Sequence, residues 1–136
     1  TPENAVRCVM TNFEDEIGRY CYPVDIHVMN TNKEEYERFM QEYTSLRYKA
    51  GESYGIPYRC LLPTDFSNVL VAGRCIGTDR QMQASVRVMP GCFITGQAAG
   101  VAAALASESE DVRSVSAKKL QEALVNLGAH LPNAKY

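Results

Sequence analysis

The five cysteines are odd in number, and no two of them stand in Cys-x-x-Cys spacing. A disulfide framework or a zinc site draws on closely spaced thiol pairs, so neither is expected and no metal is assigned. Reduced thiols in a cytoplasmic protein are the expectation. Positive charge is not in excess: 14 Lys and Arg stand against 16 Asp and Glu, for a formal net charge of −2. The basic residues are scattered, which leaves no field to attract nucleic acid. No secretory leader pattern opens the sequence. Internal repeats and low-complexity linkers are also missing. One apolar run, residues 88–106, is long enough to raise the question of a membrane span, and it holds Gly96-x-x-x-Gly100. Alanine and glycine stand there in place of leucine, and Pro90 and Gln97 interrupt it, so no membrane partner is expected.

What remains fits a soluble globular chain with one modest core: 136 residues, 46% hydrophobic and 22% charged. "TPENAVRCVMTNF" predicts a helix capped by Thr1, with Pro2 in its first turn and Val6, Val9, Met10 and Phe13 on one face. A well-formed element at the very start reads as a fragment boundary. In "YCYPVDIHV", Val24, Ile26 and Val28 alternate with Asp25 and His27, the period of a half-buried strand near Tyr22 to Val28. A helix from Lys33 follows, with Thr31 and Glu34 at capping-box spacing. Its stripe of Tyr36, Phe39, Met40, Tyr43 and Leu46 is assigned to core packing, and Gly51 to its termination. A short strand lies near Ser53 to Leu61. "VLVA" is apolar without alternation, as in a strand buried on both faces, and "IGTDRQMQAS" reads as a loop. A small-residue helix then runs to Ser107–Asp111. The closing helix has Ser116 as cap, Leu120, Leu124 and Leu127 inside, and Gly128 at its end.

The junction between "NVLVAGRCIGTD" and "GCFITGQAAGVAAALA" is the most informative part of the chain. A glycine at a strand end permits a tight turn and close approach of a ligand. A helix N-terminus offers unpaired N–H groups and partial positive charge. Together they suit an electron-rich group, and Gly91 removes a side chain that would block access. The stripe Thr95, Gly96, Ala99, Gly100, Ala103 lets a helix or sheet approach closely. Plain close packing without a ligand is the competing reading.

"SYGIPYRCLLP", "NVLVAGRCIGTD" and "VRVMPGCFITGQAAGVAAALA", in that order, resemble the C-terminal part of a family of bacterial FAD-dependent oxidoreductases. "YPVDIH" and "LQEALVNLGAHLP" are similar to it too, so the resemblance spans nearly the whole chain. It implies a flavoprotein of the type with two dinucleotide-binding domains. In such proteins the ADP portion of FAD is held by a Gly-x-Gly-x-x-Gly turn, which this sequence does not contain. The chain therefore reads as a C-terminal fragment.

By the same resemblance, Ala72, Gly73 and Arg74 correspond to the strand end that meets the ribityl or phosphate part of FAD. Related flavoproteins often carry an acidic residue after that glycine. Arg74 departs from this and favours phosphate. Met89, Pro90, Gly91 and Cys92 resemble the helix start that faces the flavin pyrimidine edge. Cys92, at a helix N-terminus where thiol pKa values fall, is a redox candidate; a small residue packed against flavin is the favoured role. Asp25 and His27 share a strand face and offer an acid/base pair, against a favoured solvated edge. Arg59 and Arg87 are candidates for binding an anionic substrate group or polarising the flavin, with a structural salt bridge as the equal alternative for each.

The expected fold is α/β, mixed α and β. Residues 1–62 would be part of a substrate domain, and residues 63–136 the C-terminal strand and helices of a Rossmann-like FAD-binding domain. The expected function is hydride transfer between a small organic substrate and FAD, with the fragment alone inactive and not retaining FAD. Self-association through exposed apolar surface is also expected. A non-catalytic interaction module that kept the fold without cofactor is the alternative.

Overall fold

The computed structural model describes residues 13–26, 32–45 and 47–134, with the backbone alone for 42–45. The elements are strand β1 (Glu16–Tyr20), helix α1 (Lys33–Ser45), strand β2 (Tyr54–Pro57), and helices α2 (Arg80–Val86), α3 (Met89–Ala106) and α4 (Ala117–Asn126). Short 3-10 turns lie at Tyr58–Leu61, Gly73–Cys75 and Val112–Ser114. The fold is mixed α and β, as expected.

β1 and β2 form an antiparallel pair in which Gly18 faces Ile56, Arg19 faces Gly55 and Tyr20 faces Tyr54. The register slips between Glu16 and Gly18, an irregularity that turns two neighbouring residues toward the same region. Ile17, Tyr54, Ile56, Ala98, Ala102, Leu120 and Leu124 belong to one buried cluster that joins the pair to α3 and α4. Two glycines make this packing possible. A Cβ on Gly18 would lie 2.3 Å from Ile94 Cγ2 of α3, and one on Gly55 would lie 2.0 Å from Glu16 Oε1. The space beside Gly55 is filled by a buried carboxylate. Glu16 accepts from Arg19 Nη1 at 2.9 and 3.1 Å, while Arg19 also donates to Ser53 Oγ and to the Ser53 carbonyl. Gln121 Nε2 donates to the Glu14 and Glu16 carbonyls and fixes α4 on β1.

Two tyrosines are held through their hydroxyls. Tyr58 donates to the Val112 carbonyl at 2.7 Å. Ser85 gives its hydrogen to the Tyr22 carbonyl, so Tyr54 is the donor in the 2.7 Å bond to Ser85. Burial pushes the Tyr54 phenol well above its ordinary range and the Tyr58 phenol up to about 12. Both folded-state values lie above the unfolded value of 10, so the neutral phenols favour the folded state. Their contribution is complete below pH 10 and is lost as pH rises through 10 towards about 12. Urea midpoints followed from about pH 8 to about pH 12 should stay flat and then fall, and Tyr58→Phe should flatten the fall. An unchanged profile in the variant would remove Tyr58 from the account.

Several expectations need correction. The described part of the Tyr22–Val28 segment, residues 22–26, forms no strand, and the strand lies just upstream at β1. Its residues read poorly as a strand because Glu16 and Arg19 are charged, yet they pair with each other. "VLVA" forms no strand among the described residues; Val69 is exposed, and Val71 N–H donates to the Leu61 carbonyl. Residues 80–86 are helix α2 and not loop, because Asp79 Oδ1 accepts from Met82 N–H at 2.8 Å and caps the first turn. Of the described side chains in the α1 stripe, Tyr36 is 57% exposed, Met40 is also exposed and Phe39 is half-buried. At its start Asn32 Oδ1 accepts from Glu35 N–H, and Thr31 lies outside the described residues. Gly51 (φ +85) serves a turn closed by Glu52 N–H on the Lys49 carbonyl, several residues past the helix end. In α4 Ser116 caps and Gly128 (φ +89) terminates as expected, but Leu127 is 62% exposed. The helix expected from Thr1 lies outside the described residues.

Candidate functional site

The chain is extended at Ala72 (φ −142°, ψ 169°) and turns at Gly73, whose φ of +64 an L side chain rarely adopts. The Gly73 N–H donates to Thr95 Oγ1 at 2.9 Å. Thr95 is fully buried, and its hydroxyl hydrogen serves the Gly91 or Cys92 carbonyl one turn back in α3. One threonine therefore anchors the turn to the first turn of the small-residue helix. A Cβ on Gly73 would sit 3.6 Å from Cys92 Sγ, which is ordinary contact, so the backbone angle and not crowding requires glycine here.

Around this corner the expected residues are placed as follows. Arg74 is exposed, and its carbonyl accepts from Gln83 Nε2. The residue before α3, Val88, supplies no side-chain cap; Met89 is 63% exposed and Pro90 is exposed. Cys92 is half-buried and donates its thiol to the Arg87 carbonyl. Arg87 Nη2 donates to the Asp25 carbonyl at 3.2 Å. His27 lies outside the described residues, so its pairing with Asp25 does too. Arg59 forms an ion pair with Asp15 at 2.7 Å, reinforced by its own N–H on Asp15 Oδ2, and lies over the Phe13 ring. For Arg59 the salt-bridge alternative is the arrangement found.

Gly91 has a different purpose from the one expected. It is buried, and a Cβ there would meet the Val86 carbonyl oxygen at 2.2 Å and its carbon at 3.0 Å. The glycine admits the backbone at the end of α2 and does not clear a path for a ligand. The side of α3 that packs is Gly91, Thr95, Ala98, Ala102 and Ala106, one residue every three to four. Gly96 and Gly100, expected on the packed stripe, have nothing within 4 Å of an added Cβ. Phe93 beside them is 70% exposed. α3 is also long and apolar enough to cross a bilayer by length and composition.

Two residues at the corner were missed. Thr95 was counted as one small residue of a stripe, although its hydroxyl joins turn to helix. Tyr20 closes β1, with its ring stacked on Tyr22 and edge-on to Tyr54. Burial raises its phenol above the ordinary value, and the nearby Cys21, Tyr22 and Cys92 push the same way. Neither assignment had a local signal, since both depend on contacts between distant segments.

The corner presents an exposed guanidinium and a helix start without a side-chain cap. Such a set favours an electron-rich group. A family model described as FAD dependent oxidoreductase matches residues 3–124. No curated protein and no solved structure matches the chain.

Proposed function

Because this chain belongs to the FAD dependent oxidoreductase family, we propose that it supplies one side of an FAD site in an enzyme that transfers hydride between a small organic substrate and FAD. The observation that carries this reading is the Gly73 turn held by Thr95 against the start of α3. Bound FAD would supply the hydride acceptor. Arg74, exposed on the turn, fits a phosphate oxygen. The first turn of α3, at Met89, Pro90 and Gly91, has no side-chain cap and fits the carbonyl-rich edge of a flavin, while the Cys92 N–H is already given to the Val88 carbonyl. The Gly73 amide is committed to Thr95, so its part is to shape the turn and not to bind. Cys92 serves as packing between turn and helix, since its thiol is already given to the Arg87 carbonyl. Arg87 holds the Asp25 backbone.

The sequence contains no Gly-x-Gly-x-x-Gly turn, so the pyrophosphate cradle must come from outside these residues. Affinity for a dinucleotide is spread over many contacts, and a half-site is poorly preorganised. The 136-residue chain should therefore be inactive and colourless after desalting, with added FAD or without. Flavin absorbance at one equivalent per chain would refute the half-site argument. In this reading residues 1–62 belong to a substrate domain and residues 63–136 to the cofactor domain of a cytoplasmic, bacterial flavoprotein. Neither nucleic acid nor a membrane is its partner.

The exposed Met89 and Phe93, with open space at Gly96 and Gly100, form an apolar face on α3. We expect the isolated chain to self-associate through it. Sedimentation equilibrium should give a weight-average mass above 15.1 kDa, and a clean monomer at high concentration would count against the idea.

A further inference from the structure

We propose that a cavity between β2 and α2 binds the apolar, ring-sized part of the organic substrate. The proposal rests on the flavoenzyme reading above for the word substrate, and on the cavity alone for the binding. The cavity holds about 200 Å³ and is walled by Ile56, Pro57, Cys60, Ile76, Met82 and Val86. Its volume exceeds the roughly 150 Å³ in which an enclosed apolar cavity takes up benzene, and it opens to solvent at the exposed Thr78, so it has room for a single ring or a small fused pair.

Its chemistry is selective. No lining residue carries a charge. The Tyr54 hydroxyl, on another wall, is used by Ser85. The Thr78 hydroxyl donates to Gln83 Oε1, which leaves it only as an acceptor. Burial raises the Cys60 thiol above its ordinary value and keeps it neutral. A charged or hydroxyl-rich group entering here would give up its water and find few partners. A neutral aromatic or aliphatic ring gives up little.

The cavity is also built into the frame of the candidate cofactor corner. Ile76 and Thr78 follow directly on the Gly73–Cys75 turn. Gly77 N–H donates to the Cys60 carbonyl at 2.8 Å and ties two walls together. Val86 lines the cavity, and its carbonyl is the surface on which Gly91 of α3 rests. A ring seated in the cavity therefore touches Val86, the residue whose carbonyl packs on the first turn of α3.

The test uses indole as probe, with benzoate and glucose as charged and hydroxyl-rich controls. Alkylation of each cysteine by iodoacetamide is followed by peptide mass spectrometry. Indole should slow alkylation of Cys60 at least fivefold in a saturable manner, and leave the exposed Cys21 and Cys75 unchanged. Met82→Trp, which fills the cavity from α2, should abolish the protection. Thr78→Phe, which fills it from the exposed rim, gives the same reading if the first variant does not fold. Absence of protection at the solubility limit of indole overturns the proposal. So does equal protection of all three cysteines, or protection by benzoate or glucose as strong as by indole. No flavin takes part, so a colourless parent protein would remove the substrate reading while leaving the cavity result intact.

Discussion

Gly91→Ala should unfold the chain or leave it severely destabilised. The added Cβ would meet the Val86 carbonyl oxygen at 2.2 Å and its carbon at 3.0 Å. Both are backbone atoms, so no rotamer change relieves the clash, and α2 and α3 must move apart. Overpacking of this kind costs about 3 kcal/mol or more, a large share of the stability of a small domain. Gly96→Ala, five residues along the same helix, is the control. It meets nothing within 4 Å and should gain about 1 kcal/mol from helix propensity alone. Urea denaturation of the pair measures both. Equal stabilities would mean that the α2–α3 junction is not as described.

Glu16→Ala should cost a comparable amount, for a different reason. It leaves the Arg19 guanidinium, whose side chain is only 8% exposed, without its carboxylate. Removing one partner of a buried ion pair costs about 3–5 kcal/mol, because the remaining charge is stranded. Replacing both members, Glu16→Leu with Arg19→Met, should recover most of the loss, since the charges then disappear together. The urea midpoint is again the readout. A single variant no less stable than the double would show that the pair does not hold β1 in place.

These two positions also show what the sequence could and could not reveal. α1 and α4 were legible because helical periodicity and caps are local, as with Ser116 three residues before Lys119 and Gly128 just past the last turn, and α3 was legible from its run of alanine and glycine after Pro90. Gly73 was legible because a glycine after an apolar run has few other uses. β1 was not, because a strand reading EIGRY looks polar until Gly55 on the neighbouring strand makes room for Glu16. The reason for Gly91 was hidden in the same way: its neighbour, the Val86 carbonyl, is brought there by a helix that had been read as a loop. That helix had a signal in Asp79, which caps the turn containing Met82. The α1 stripe teaches a related lesson. Periodicity reports that a face is apolar, not that it is buried: Tyr36 and Met40 are exposed. At the candidate site, Gly73, Arg74 and the start of α3 were placed from sequence. Thr95 and Tyr20 emerged only with the packing of α3 and β1, since no spacing rule joins them to Gly73.

The central claim is that this chain forms one side of a flavin site completed by a dinucleotide-binding turn outside it. The most direct measurement is the absorbance spectrum, after desalting, of the protein expressed from its whole reading frame. The account predicts flavin bands near one equivalent per chain. It also predicts that Arg74→Glu lowers that occupancy by setting like charge against the phosphate. A folded but colourless protein that takes up no added FAD would contradict it.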